Sequence, residues 1–109
     1  MKYLPPLFIT LALVAVGTPS YAGIPYDSYS YRPPQGYVQT REMAIAIAEI
    51  VLDSIYGKKV IDQERPLVAV LDKDVWEVRG TLPKDYEGGT AMIRISKKTG
   101  EILRVVHYK

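Results

Sequence analysis

The chain has 109 residues, with 14 Lys plus Arg against 12 Asp plus Glu, one His and no Cys. Without Cys there is no disulfide, no thiol nucleophile, no thiolate metal ligand and no thiol to carry a lipid. Charges of both signs are interspersed, and Lys58-Lys59 and Lys97-Lys98 are the only basic pairs. No basic stripe can neutralise several phosphates in a row, which argues against nucleic acid as a partner.

Met1 to Ala22 reads as a secretory signal. Lys2 supplies the positive start, Leu7 to Val16 is an apolar run broken only by Thr10, and Ser20-Tyr21-Ala22 places small residues at a cleavage site. The run is shorter than the roughly 20 residues of a spanning helix. Pro5-Pro6 and Gly17-Thr18-Pro19 would break a longer one. The expectation is therefore export to the periplasm, cleavage after Ala22 and no membrane attachment afterwards. Taking 22 residues from 109 leaves 87, one small domain with no room for a cofactor domain. Only Lys2 leaves with the leader, so 13 basic residues then face 12 acidic ones, a net charge of +1.

Residues 23–37, GIPYDSYSYRPPQGY, show neither a period of two nor one of 3.6 and hold little aliphatic material, as expected of a flexible or loosely docked arm. Tyr26, Tyr29, Tyr31 and Tyr37 make it either a binding strip, since Tyr gives amphipathic contact area, or a linker clear of the export machinery. Residues 38–109 form the expected folded domain. Thr40 is placed as a helix N-cap, Glu42 in the first turn favours the helix dipole, and helix formers continue to Tyr56 before Gly57 stops them. Met43, Ile47, Ile50, Val51 and Ile55 recur at three- and four-residue spacing and read as the core stripe. Ala44, Ala46 and Ala48 are small enough for close approach to a sheet.

The period then changes to two. Lys58 to Ile61 reads as a short strand, Asp62 to Pro66 as a polar break, and Leu67 to Leu71 as a second strand. After an Asp72-Lys73-Asp74 turn, Val75 to Leu82 alternates Trp76, Val78, Gly80 and Leu82 on one face with Val75, Glu77, Arg79 and Thr81 on the other. Pro83 to Gly89 is a longer loop. Thr90 to Ser96 turns Ala91, Ile93 and Ile95 inward, Lys97 to Gly100 is a tight turn, and Glu101 to Tyr108 closes the sheet. The predicted fold is α+β: one N-terminal amphipathic helix packed on an antiparallel meander of four to five strands, a compact arrangement of the NTF2, cystatin or PepSY kind.

Catalytic and metal-binding patterns are missing. His107 could pair only with Ser54 or Ser96, and neither lies in a nucleophile-elbow turn. Asp72 and Asp74 flank a lysine, which suits a solvated turn better than a cation. Asp85 and Glu87 share one loop and lack the opposed geometry of glycoside hydrolysis. Gly88-Gly89 has neither the lysine nor the helix of a phosphate cradle. The sequence thus reads as a binding protein, not an enzyme, without cofactor or metal.

Ile47-Ala48-Glu49, Val51-Leu52, Ile55-Tyr56-Gly57, Arg65-Pro66-Leu67, Trp76-Glu77-Val78, Gly80-Thr81-Leu82-Pro83, Gly88-Gly89, Ile93 to Lys98, Gly100 to Leu103 and His107 together resemble the NTF2 fold immunity proteins of bacterial polymorphic toxin systems. The likeness covers Tyr37 to Lys109, with one predicted helix where the multi-helix cone of that fold has more. It implies a small protein that neutralises a cognate toxin by binding it, with no catalytic residue carried over. Coupled to the leader, it implies a toxin acting in the periplasm, on peptidoglycan, delivered by contact-dependent or type VI secretion. Ala91 to Leu103, AMIRISKKTGEIL, with the Trp-bearing strand also resembles the PepSY domains, whose clients would be secreted proteases. A third alternative is a structural envelope protein that adheres through its Tyr/Pro arm.

Inhibition by a small rigid domain works by occluding a cleft with aromatic anchors and steering charges. Two partner-binding surfaces are therefore expected. One is the Pro83 to Gly89 loop, with Tyr86 as anchor and Asp85 and Glu87 as charges. The other is the solvent side of the strands, with Glu77, Arg79 and Arg94.

Overall fold

The computed structural model describes residues 29–109; the expected leader and the first residues of the arm, 23–28, lie outside them. From Arg32 onward the chain packs as one unit. Extended Thr40 accepts at Oγ1 from the Met43 N–H at 3.1 Å, and helix α1 runs Arg41–Tyr56. Gly57 ends it at a φ of 94°, where a side chain would be strained, and its N–H closes on the Asp53 carbonyl at 2.9 Å.

The expected strand at Lys58 to Ile61 is instead a short helix, α2, over Lys58–Asp62. Gly57 redirects the chain, its carbonyl accepts from the Ile61 N–H at 3.2 Å, and the Lys58 ammonium reaches the Asp62 carboxylate one turn on at 2.9 Å. Arg65 joins that carboxylate at 2.8 Å, and Arg65 and Lys58 together hold it below the usual carboxylate range. Only Ile61 of this segment enters the core, so the local alternation was never a sheet face.

Four strands follow as an antiparallel meander in the order β1-β2-β3-β4: β1 Val68–Asp72, β2 Val75–Arg79, β3 Ala91–Ser96 and β4 Ile102–His107. The second strand is shorter than expected. After Arg79 the Thr81 N–H donates to the Glu64 carbonyl at 2.7 Å and its hydroxyl to the Pro66 carbonyl at 2.6 Å, which draws the chain off the sheet and leaves Leu82 exposed. Both short turns form as expected, with Gly100 at a φ of 81° in the second.

Helix α1 packs on β1, β2 and β3. Ala44, Ala48 and Leu52 meet Ala69, Trp76, Val78, Ala91, Ile93 and Ile95 in the core. The stripe expected from spacing is therefore rotated: Met43, Ile50 and Ile55 are exposed, Ile50 at 73%, while Ile47 and Val51 only flank the core. Alanines let the helix axis come close to the sheet, and the bulkier Ile and Met side chains are displaced to its flank. The Trp76 indole N–H donates to the Val38 carbonyl at 2.8 Å, and the Tyr37 and Val38 N–H groups donate to the Lys98 and Lys97 carbonyls at 3.1 and 3.0 Å. The segment before α1 is thereby tied to the β3–β4 turn. No helix among the described residues is long and apolar enough to cross a membrane.

Candidate partner-binding face

Because successive strand residues point to opposite faces, the positions between the core residues define a second face on which no described helix packs. Register sets two rows across it. One runs Val68, Arg79, Met92, Val106, and the next runs Val70, Glu77, Arg94, Arg104. The three strand residues expected on a binding surface, Glu77, Arg79 and Arg94, thus lie in one patch. Arg79 donates from Nε to the Glu77 carboxylate at 2.7 Å, which raises its already high pKa, and its guanidinium lies 5.7 Å from the centre of the Tyr108 ring. Met92, on β3 between β2 and β4, is buried on this face although it belongs to no part of the helix-side core.

The 83–89 loop leaves the same end of the sheet. The Tyr86 N–H closes a turn on the Pro83 carbonyl at 3.1 Å, and Asp85 holds a φ of 69°. Gly89 approaches Tyr108 so closely that no Cβ would fit between them. Asp85, Tyr86 and Glu87 are exposed, Tyr86 at 60%, and no ion pair among the described residues engages either acid. Tyr108 therefore links two surfaces that sequence reasoning treated as separate. Period two continued from β4 puts Tyr108 on the face of Arg104 and Val106, a signal that could have found it.

On the helix side, the structure contains a polar cluster that the sequence did not disclose. Glu64, only 6% exposed, accepts at Oε1 from the Ala91 N–H and at Oε2 from His107 Nε2, both at 2.7 Å. His107 Nδ1 faces the Tyr108 carbonyl at 2.8 Å, and the Tyr56 ring meets the imidazole edge-on with centroids 5.2 Å apart. Both ring nitrogens face acceptors, an arrangement that only the doubly protonated ring satisfies. The Glu64 bond raises the His107 pKa, burial opposes the rise, and the Tyr108 carbonyl adds to it. The pair braces the ends of β3 and β4. Position removes Ser96 as a partner for His107: it lies at the far end of β3 from Ala91, the Cα partner of His107, and its hydroxyl accepts from the Thr99 N–H at 3.1 Å. Among the described residues no His, Asp or Glu cluster could hold a metal ion.

The NTF2 fold immunity protein family matches residues 43–109, which hold α1 from its third residue, α2, all four strands and the loop. This chain belongs to that family. Two proteins of Escherichia coli strain K12 are similar: the uncharacterized YbbC, 37% identical over 76% of this chain and 66% of its own length, and the uncharacterized YhhH, 31% identical over 77% and 67%. The chain thus spans about two thirds of the length of these relatives. No solved structure matches it. The family match supports a toxin-immunity role in general.

Proposed function

We propose that this chain is a periplasmic immunity protein that binds an antibacterial effector acting on peptidoglycan, delivered by a neighbour through a type VI or contact-dependent apparatus, and inhibits it by occluding its active-site cleft. The observation that carries the reading is the family match over the whole helix-and-sheet domain. The leader-like residues 1–22 supply the compartment, since immunity is useful only where the toxin acts. The helix-free sheet face with Glu77, Arg79 and Arg94, continued at Tyr108 into the loop of Asp85, Tyr86 and Glu87, supplies the contact surface. A strand backbone that is already folded need not be ordered on association, which lowers its entropic cost. The PepSY-like alternative rested on the same strands and gains no support from the family match.

The experiment is periplasmic co-expression with the product of the adjacent upstream gene. Rescue from lysis, with a complex recovered on purification, is the expected result. A neighbour that is harmless in the periplasm and forms no complex would sink the reading.

A further inference from the structure

Arg94 and Arg104 are Cα partners on β3 and β4, so two guanidinium-bearing residues stand directly opposite each other on the helix-free face. Like charges in this position destabilise a sheet. The neighbouring acid does not offset them. Glu77 is the Cα partner of Arg94 on its other side, yet its carboxylate is taken by Arg79 at 2.7 Å, and neither Arg94 nor Arg104 forms an ion pair with any described carboxylate. Next to the pair the β3–β4 register slips between Arg94 and Ile95, leaving Leu103 without a partner and exposed beside Arg104. Such bulges re-aim neighbouring side chains. Arg94 is half-buried, which limits its freedom before any partner arrives.

We infer that the Arg94–Arg104 pair is an anchor site for clustered carboxylates on the surface of the partner protein. The inference rests on the immunity reading for the partner's identity and adds the chemistry by which it is recognised. Opposite residues in an antiparallel pair have Cα atoms about 5 Å apart, so two guanidinium forks can engage neighbouring carboxylates bidentately. Apolar Met92 and Val106 form the adjacent row on the same face and would exclude water once the pair is covered, where charge-assisted bonds strengthen. A protein is favoured over a phosphate polymer because Glu77 and Asp72 stand on the same face, interrupting any continuous track for a polyanion.

The test is an NMR titration of the full-length chain at low salt, observing arginine Nε–Hε signals, with a hexaglutamate peptide and in parallel with an oligothymidylate of equal charge. The Arg94 and Arg104 signals are expected to move saturably with the peptide, with an affinity about tenfold or more above that for the oligonucleotide. R94Q/R104Q, which carries neither signal, is expected to lose the peptide-induced shifts of the β3 and β4 backbone amides while melting no earlier than the unaltered chain, because a repulsion has been removed. If the double variant melts earlier, R104Q, at the exposed member of the pair, carries the same expected loss in weaker form. Equal movement of Arg32, Arg65 and the other exposed arginines, a preference for the oligonucleotide, or an unchanged response in R104Q overturns the inference. The peptide is independent of the neighbouring gene, so a positive titration without protection in cells would overturn the immunity reading and leave the arginine site standing.

Discussion

Glu64 illustrates how one side chain can fix a corner of the fold. Its carboxylate satisfies the Ala91 N–H at the start of β3 and the His107 ring at the end of β4, and its carbonyl holds Thr81 after β2. Glu64→Ala removes the acceptor and leaves a buried donor unpaired, so a loss of about 3 kcal/mol is expected, to be read by denaturant unfolding with the single, buried Trp76 as fluorescence reporter. Gly80 is required beside it, because a Cβ there would lie 2.8 Å from that of Glu64. Gly80→Ala is accordingly expected to act in the same direction. The pair also sets a pH dependence. The folded pKa of His107 is raised above its ordinary 6.5, so its contribution is complete below that value and is lost as pH rises through the folded pKa. Unfolding free energy should therefore fall with rising pH across this window, and His107→Gln should flatten the slope. A slope retained in that variant would assign the titration elsewhere.

Helix α1 shows which features of an element can be read from sequence and which cannot. Its ends were legible because the cap chemistry is local: Thr40 at one end and Gly57 at the other fix Arg41–Tyr56. Its rotation was not, because spacing gives bulky Ile50 and small Ala48 equal standing as apolar positions, while the sheet's distance from the helix axis decides which is buried. This predicts an inversion of ordinary expectation. Ala48→Leu should destabilise by about 1–3 kcal/mol through overpacking, whereas Ile50→Lys should stay within about 0.5 kcal/mol, both by denaturant unfolding. The four strands were legible from period two, and with them the face of Glu77, Arg79 and Arg94, although the same period wrongly made a strand of Lys58 to Ile61 and ran β2 on to Leu82. What stayed hidden depends on distant pairing. Glu64 and His107 are 43 residues apart, with Glu64 inside a polar run that reads as a turn, and the opposition of Arg94 and Arg104 depends on a register that slips one residue further on.

At the scale of the molecule, one face of the sheet is covered by α1, and the other, with the loop at its end, is the face proposed for the partner. The loop and the strand face can be separated experimentally. Replacing Asp85, Tyr86 and Glu87 together by Ala should leave the fold intact, since the three are exposed, and weaken toxin binding by an order of magnitude or more if Tyr86 is an anchor. Unchanged affinity and protection would remove the loop from the interface and leave the strand face to account for binding.

Compartment is the last variable, and it separates binding from protection. If residues 1–22 serve only to carry the domain across the inner membrane, replacing them by a single Met leaves α1, the sheet and the loop intact and retains the chain in the cytoplasm. Affinity for the toxin in vitro should then be unchanged, while protection against toxin directed to the periplasm should disappear and protection against toxin expressed in the cytoplasm should persist. Binding energy is the same in both places, and only the local concentration of inhibitor where the toxin acts differs. Full protection by the leaderless form against periplasmic toxin would contradict the proposed site of action.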